Sequence, residues 1–464
     1  MTATERSQGP TSLYGNDCSD ESLAEAFTTG SVPVAVYGLG KMGLPLASVY
    51  AEKSGNVTGV DVDPSVVRSV NAGECPVSGE PGLPGLVEKM ATEGRLQATA
   101  DISKAAPDAS VHVVIVPTLI TDDQEPDLSI LKSLIRDLGP HLDRGDLVFI
   151  ESTVPPGACR EVLVPLLEDE SGLQIGEFGF AFCPERTSSG RALKDIRGAY
   201  PKVVGGVDAA STRAARIVYE ALNEAGVIPV ANATTAEMVK ITEGLYRDVN
   251  IALANELASV ADDLPVDFRE VTDAASTIPF INVHEPGAGV GGHCIPYYPY
   301  FVMNWLDDEF PLLQTAREQN DAMPEFTTDR LKTQLASVGK SIEESSVLVL
   351  GVAYKPGVAE TRATPAEPIL NELTERASEV LVSDPVLSAE ETGAFGGTVV
   401  PVPSIQEANP DAVVIVTAHE EFSEIDWSQF DPLVIINGRQ SMSLDSERHR
   451  VYTIGTGLES EGEV

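Results

Sequence analysis

Two stretches of this chain gather residues able to do chemistry. In GLGKMG, the residues Gly38, Leu39, Gly40, Lys41, Met42 and Gly43 close an apolar run and open a helical one. Gly38 permits a tight turn, Gly40 lets the backbone approach a pyrophosphate at a helix N-terminus, and Gly43 lets helix and sheet pack closely. A glycine pattern of this kind carries little by itself, but Asp61 closes the next strand-like run, 23 residues beyond Gly38. A carboxylate placed there accepts ribose hydroxyls and repels a 2′-phosphate, so the expected cofactor is NAD rather than NADP.

The second stretch is GAGVGGHCIPYYPY, residues 287–300. His293 and Cys294 are too few for a zinc site, and the six histidines form no cluster along the chain, so no metal is expected. A lone cysteine is most often a small buried hydrophobe. Here Gly287, Gly289, Gly291 and Gly292 strip side chains from around the sulfur, leaving room and N–H groups for a substrate and a developing oxyanion. A thiol in that setting attacks an aldehyde, hydride loss from the thiohemiacetal gives a thioester, and water releases an acid. One nicotinamide site and one cysteine thus suffice to take an alcohol to a carboxylate. Cys183 is the rival nucleophile.

These residues need a scaffold, and short β-branched runs supply one: VAVYG, VTGVDVD, VHVVIVP, DLVFIEST and KVVGG, alternating with helical stretches from Pro33 to about residue 206. Near-continuous Val and Ile indicates strands buried on both faces of a parallel sheet. From Thr234 the texture changes. Thr234 and Glu237 are spaced as a capping box, and Met238, Ile241, Leu245, Val249, Leu253, Leu257 and Val260 follow at helical spacing. Strands return at VLVLGVAY, EVLVSDP, AVVIVTA and LVIING. The expected fold class is α/β, with two Rossmann-like, doubly wound domains joined by a helical middle. Its expected divisions are a flexible extension over 1–30, a cofactor domain over 31–230, a helical domain over 231–338 with the cysteine loop and a dimer interface, a second α/β domain over 339–455, and an acidic tail over 456–464.

At 464 residues and 42% apolar composition the chain fills several cores. Asp plus Glu outnumber Lys plus Arg by 71 to 31, a net charge of −40. A nucleic acid or an anionic membrane is therefore excluded as a partner on charge grounds. Scattered acid of this kind suits concentrated salt, where screening removes self-repulsion, and points to a halophile's cytoplasm. The apolar runs are only strand-length, and no signal peptide or membrane span is visible. Five widely spaced cysteines without a CxxC form neither a disulfide framework nor a structural zinc site, as expected of a reducing compartment.

GVGGHCIP, taken with ESTVPPG (151–157), CPER (183–186), AEMVKITEGLYRDVNIALANELA (236–258), GVAYKPGVAETRATP (351–365) and VVIVTAHEEF (413–422), resembles the UDP-glucose/GDP-mannose dehydrogenase family from about Val32 to about Gly438. VGGHCIP, PER and RDVNIA are more similar to its UDP-N-acetylhexosamine branch, that of the UDP-N-acetylmannosamine dehydrogenases, than to its UDP-glucose branch. The resemblance implies that Cys294 is the nucleophile, that Lys240 polarises the C6 oxygen, that Glu185 handles the proton through a water and that Thr153 orients that water. It also implies that Thr118 contacts the cofactor and that Tyr354, Lys355 and Arg362 meet the sugar nucleotide; Glu185, Arg186, Lys240 and Gly291 are expected to line the substrate, with Arg247, seven residues after Lys240 and so on the same helix face, able to reach the sugar or a phosphate. The enzyme would then be a nucleotide-sugar 6-dehydrogenase and a homodimer or higher homo-oligomer.

Two positions depart from the family. Four residues after the lysine it commonly has Asn where this chain has Gly244, and four residues after the cysteine it commonly has Asp where this chain has Tyr298. Gly244 supplies no side-chain donor, and a tyrosine, neutral near pH 7, cannot replace a carboxylate as a base. Three alternatives stay open at this level: UDP-glucose 6-dehydrogenase, a hydroxy-acid dehydrogenase that stops after one NADH, and a sugar-nucleotide-binding homologue without catalysis.

Overall fold

A computed structural model describes residues 11–440, 442, 444 and 447–459. The chain divides into two compact units, the first holding residues 1–242 and 300–305, the second 243–299 and 306–464.

In the first unit the strands are β1 (Val34–Tyr37), β2 (Val57–Val60), β3 (Leu96–Thr99), β4 (Val111–Val114), the hairpin β5 (Leu119–Ile120) and β6 (Pro126–Asp127), then β7 (Leu147–Ile150), β8 (Gly179–Phe182), β9 (Lys202–Gly206) and β10 (Val227–Pro229). The main sheet runs β10-β9-β8-β7-β4-β1-β2-β3. Strands β3, β2, β1, β4, β7 and β8 are parallel, and β9 turns antiparallel to β8. All four residues of β1, β4, β7 and β8 are buried, which is why these strands read as apolar runs, broken only by His112 in β4, whose ring hydrogen-bonds the Tyr37 hydroxyl at 2.9 Å. The strand order reverses between β1 and β4, and the crevice at that reversal is where doubly wound sheets bind ligands.

The second unit repeats the plan with β11 (Ser346–Leu350), β12 (Glu379–Ser383), β13 (Thr398–Val399), β14 (Ala412–Ile415), β15 (Val434–Asn437), β16 (Arg450–Thr453) and β17 (Gly457–Leu458) in the order β13-β12-β11-β14-β15-β16-β17. Only β17 is antiparallel to its neighbour. Each sheet is covered on both faces by apolar cores, so the α/β expectation holds.

Three expectations need correction. Residues 11–30 are not a loose extension: α1 (Asp20–Thr28) is capped by Ser19, and Leu23 and Phe27, four apart, are fully buried. Phe27 meets the Tyr50 ring edge-on, and Tyr14 donates to Asp208 at 2.7 Å. The helical middle opens with α3 (Ala233–Ala258), and the boundary between the two compact units falls inside that helix, between Thr242 and Glu243. The capping box at Thr234 does not form. Asn232 accepts from the Thr235 N–H at 2.8 Å instead, and the Glu237 carboxylate turns to the N–H groups of Gly157 (2.6 Å) and Cys159 (2.8 Å). Residues 457–458 are strand β17 rather than tail, while 460–464 lie outside the described residues. Among the described residues no helix is long and apolar enough to cross a membrane.

Candidate active site

The glycine turn follows β1 directly, with Gly38 at φ 97°. A Cβ on Gly38 would lie 2.5 Å from the Ile115 carbonyl oxygen, and one on Gly43 would lie 1.9 Å from the Gly38 carbonyl oxygen. Both positions exclude any other residue. Around Gly40 the space a side chain would take is open, leaving the backbone accessible to a ligand as α2 (Gly43–Ser54) begins. Asp61 follows β2, and its carboxylate accepts from the N–H groups of Leu39 (2.8 Å) and Asp63 (2.9 Å). The acid is thereby aimed at the glycine turn, where a ribose would lie. Thr118, just beyond β4, has a buried hydroxyl with no hydrogen-bond partner in the protein, as expected of a group awaiting a ligand. Turn, acid and orphan hydroxyl together fit NAD.

The same unit holds Glu185, Arg186, Lys240 and Thr153, the last on the loop after β7. Lys240 is 9% exposed and donates to the Glu185 carbonyl, so it is not a solvated surface lysine. Glu185 accepts from the Thr187 N–H, and Arg186 lies 5.2 Å from the Tyr200 ring centre while donating to the Pro201 carbonyl at 3.1 Å. Glu185 and Arg186 line a cleft together with Glu151, Lys202 and Tyr219. Glu151 is buried there and ion-paired to Lys202 at 2.6 Å; burial pushes its carboxyl up, against the pull of that lysine. Cys183 is fully buried and burial pushes its thiol far up, so its thiolate is suppressed.

The second unit holds Cys294, Gly291, Arg247, Tyr354, Lys355 and Arg362. Cys294 is part-exposed, and its carbonyl accepts from the N–H groups of Tyr297 (3.2 Å) and Tyr298 (3.0 Å) in a closed turn. The glycines beside it do not leave an empty pocket, contrary to expectation. Cβ atoms there would lie 2.1 Å from the Arg439 guanidinium at Gly287, 2.8 Å from Pro365 at Gly289, and 2.6 and 2.9 Å from Tyr354 at Gly291 and Gly292. Nor are all the amides free. Gly287 donates to Asn255 at 2.9 Å and Gly292 to the Arg362 carbonyl at 2.8 Å. The glycines allow close packing of Tyr354 onto the cysteine loop, and the Tyr354 hydroxyl is pushed up first by burial and then by Cys294.

Arg362 is exposed and paired to Glu360 at 3.1 and 3.2 Å; Lys355 and Arg247 are exposed. Ala363, beside Arg362, sits at φ 47°, a left-handed conformation uncommon outside glycine. Sequence reasoning missed three supports. Arg439 is half-buried and reaches the Gly289 carbonyl at 3.2 Å. Asn255 links the loop to Asn320, which in turn bonds Asp248 on α3. Glu237 holds the turn that follows Thr153. Only Arg439 carried a local signal, a cation just past an apolar strand end. No cluster able to hold a metal occurs among the described residues.

Comparison with known proteins gives one consistent result. The NAD binding, central and UDP binding domains of the UDP-glucose/GDP-mannose dehydrogenase family match residues 32–223, 234–322 and 348–446. The UDP-N-acetyl-D-mannosamine dehydrogenase of Pyrococcus horikoshii is 36% identical over 412 residues, covering 88% of this chain and 95% of that protein. The NDP-N-acetyl-D-galactosaminuronic acid dehydrogenase of Ralstonia solanacearum is 33% identical, with the same coverage of both chains. The solved UDP-D-ManNAc dehydrogenase from Pyrococcus horikoshii superposes with a TM-score of 0.85, at 34% identity, over 92% of this chain and 100% of that one. A dinucleotide turn with its acid, a second α/β sheet and these matches end to end place the chain in the UDP-glucose/GDP-mannose dehydrogenase family, as an NAD-dependent nucleotide-sugar dehydrogenase.

Proposed function

We propose that the enzyme oxidises the C6 hydroxyl of a UDP-N-acetylhexosamine, UDP-N-acetylmannosamine first among them, to the uronic acid in two steps through Cys294. The observation that carries this reading is the contrast between the cysteines: Cys294 is part-exposed on its loop, whereas Cys183 is sealed and its thiol pushed up. The hexosamine choice rests on the relatives from Pyrococcus and Ralstonia, both named for N-acetylated sugars. NAD, when bound at the glycine turn, supplies the hydride acceptor. The balance is one alcohol, one water and two NAD⁺ giving one carboxylate, two NADH and three protons.

In this reading Lys240 steadies negative charge on the C6 oxygen, and Glu185 and Thr153 hold the water that accepts the first proton and later attacks the thioester. Arg186, Arg247 and Gly291 border the sugar; Tyr354, Lys355 and Arg362 meet the nucleotide. A panel of UDP-ManNAc, UDP-GlcNAc, UDP-glucose and GDP-mannose in molar salt tests the choice of sugar. Fastest NADH release is expected from UDP-ManNAc; preference for UDP-glucose would refute the assignment. Tyr298 and Gly244 favour one second reading, a sugar-nucleotide binder without turnover. Tight UDP-sugar binding by calorimetry with no NADH formed would establish it.

Assembly through α3 belongs to the same proposal. Met238, Leu253 and Leu257 of that helix, and Val260 in the turn just after it, stay 36%, 49%, 40% and 37% exposed in the single chain, an apolar stripe suited to a second copy. Light scattering in high salt should give at least a dimer; a monomer would sink this part.

A further inference from the structure

Gly244 and Tyr298 look like two unrelated departures in the sequence, yet the fold makes them one contact. The Tyr298 ring lies on the Gly244 backbone: a Cβ added to Gly244 would stand 2.2 Å from Tyr298 Cδ2, 3.0 Å from Cγ and 3.1 Å from Cε2. Atoms do not approach so closely, so the ring fits only because residue 244 has no side chain. Tyr298 is 5% exposed, and its N–H donates to the Cys294 carbonyl at 3.0 Å, closing the turn that carries the sulfur. The cysteine turn is therefore tied directly to a ring that rests on the helix.

We infer that Tyr298 is a positioning residue for Cys294. Its ring, seated on the bare backbone of Gly244, fixes the height of the cysteine turn over α3. The consequence for catalysis rests on the proposal that Cys294 is the nucleophile. A glycine in a helix interior ordinarily costs about 1 kcal/mol relative to alanine, so its presence at 244 needs a reason, and the ring supplies one. Gly244 has no left-handed φ, so alanine is tolerated by the backbone and objectionable only to Tyr298.

That sets up a double-mutant cycle in the full-length enzyme. Gly244→Ala should shift the ring and lower kcat about a hundredfold, the scale of a 1 Å misplacement, with KM for NAD unchanged. Tyr298→Phe keeps the ring and most of the rate; Tyr298→Ala loses the seat and falls as Gly244→Ala does. The double variant Gly244→Ala with Tyr298→Ala should fall no further than Tyr298→Ala alone, since the clash has gone. The rate of Cys294 alkylation by iodoacetamide, read by mass spectrometry, should follow the same non-additive pattern.

Circular dichroism and NAD affinity report whether each variant is folded. Additive losses, or an alkylation rate indifferent to residue 244, would overturn the inference. The alkylation readout does not depend on what Cys294 does in turnover. Non-additive alkylation beside an active Cys294→Ser enzyme would uphold the positioning role and overturn the nucleophile proposal.

Discussion

The two α/β sheets solve the same turn in the same way and then put it to different uses. After β1, Gly38 at φ 97° approaches the Ile115 carbonyl; after β11, Gly351 at φ 88° approaches the Thr417 carbonyl, where a Cβ would stand 2.3 Å away. Each turn donates an N–H to an aspartate at the end of the second strand, Leu39 to Asp61 and Val352 to Asp384, both at 2.8 Å. There the likeness stops. Asp61 accepts two backbone N–H groups and stays part-exposed. Asp384 accepts from Val352, Ala353, Val386 and Leu387, its side chain is fully buried, and His419 stands 3.4 Å away.

The difference teaches that an acid at the end of the second strand does not by itself mark a dinucleotide site. Asp61 retains capacity for ribose hydroxyls, whereas Asp384 spends its oxygens on holding its own turn. The following helix differs too. α2 starts at Gly43 immediately after the first turn, while the second unit runs through residues 354–365 before α4 (Ala366–Arg376) begins. That detour carries Tyr354, Lys355 and Arg362, and leaves no helix N-terminus at the turn for a pyrophosphate.

Substitutions at the two acids should separate these roles. The largest effect is expected at Asp384→Asn, which leaves donors unmatched in a buried site and should cost about 3 kcal/mol of stability, with NAD affinity unchanged. Burial alone would raise the Asp384 carboxyl, but His419 and the N–H groups of Ala353 and Val386 hold it below the usual aspartate range. A depressed folded pKa contributes stability above the unfolded value, about 3.9, and loses it as pH falls through the folded value. Thermal melts between pH 3 and 6 should therefore drop steeply toward acid in the parent and less steeply in Asp384→Asn; parallel curves would break the comparison. A smaller effect is expected at Asp61→Ala: about tenfold weaker NAD binding, roughly 1.4 kcal/mol, with the preference over NADP narrowed and the melting temperature little changed. Equal use of NAD and NADP by the unaltered enzyme would refute the role of Asp61.

Much of this fold was legible because its signals are local. Val and Ile runs give buried strands, and Gly38, Gly40, Gly43 and Asp61 declare a turn and its acid within a single strand-helix-strand unit. What escaped depends on partners far along the chain. Leu23 and Phe27 gave too short a stripe to announce α1. Glu237, at the right spacing for a capping box, was drawn off by amides at Gly157 and Cys159, about eighty residues earlier. The glycines around Cys294 were read as empty space because nothing nearby in sequence shows that Tyr354, Pro365 and Arg439 fill it. For the same reason Gly244 and Tyr298, 54 residues apart, read as two losses rather than one fitted contact.

The central claim is that Cys294 carries the second oxidation, and counting NADH per sugar consumed tests it most directly. The unaltered enzyme should release two NADH and a carboxylate. Cys294→Ser should lose most of that turnover while binding NAD and UDP-sugar nearly as before, because a serine hydroxyl supplies almost no nucleophilic anion at neutral pH. Its slow residual reaction should stop near the aldehyde or trap an ester, and Cys183→Ser should keep the full yield. Two NADH per sugar from Cys294→Ser, with Cys183→Ser inactive, would contradict the account.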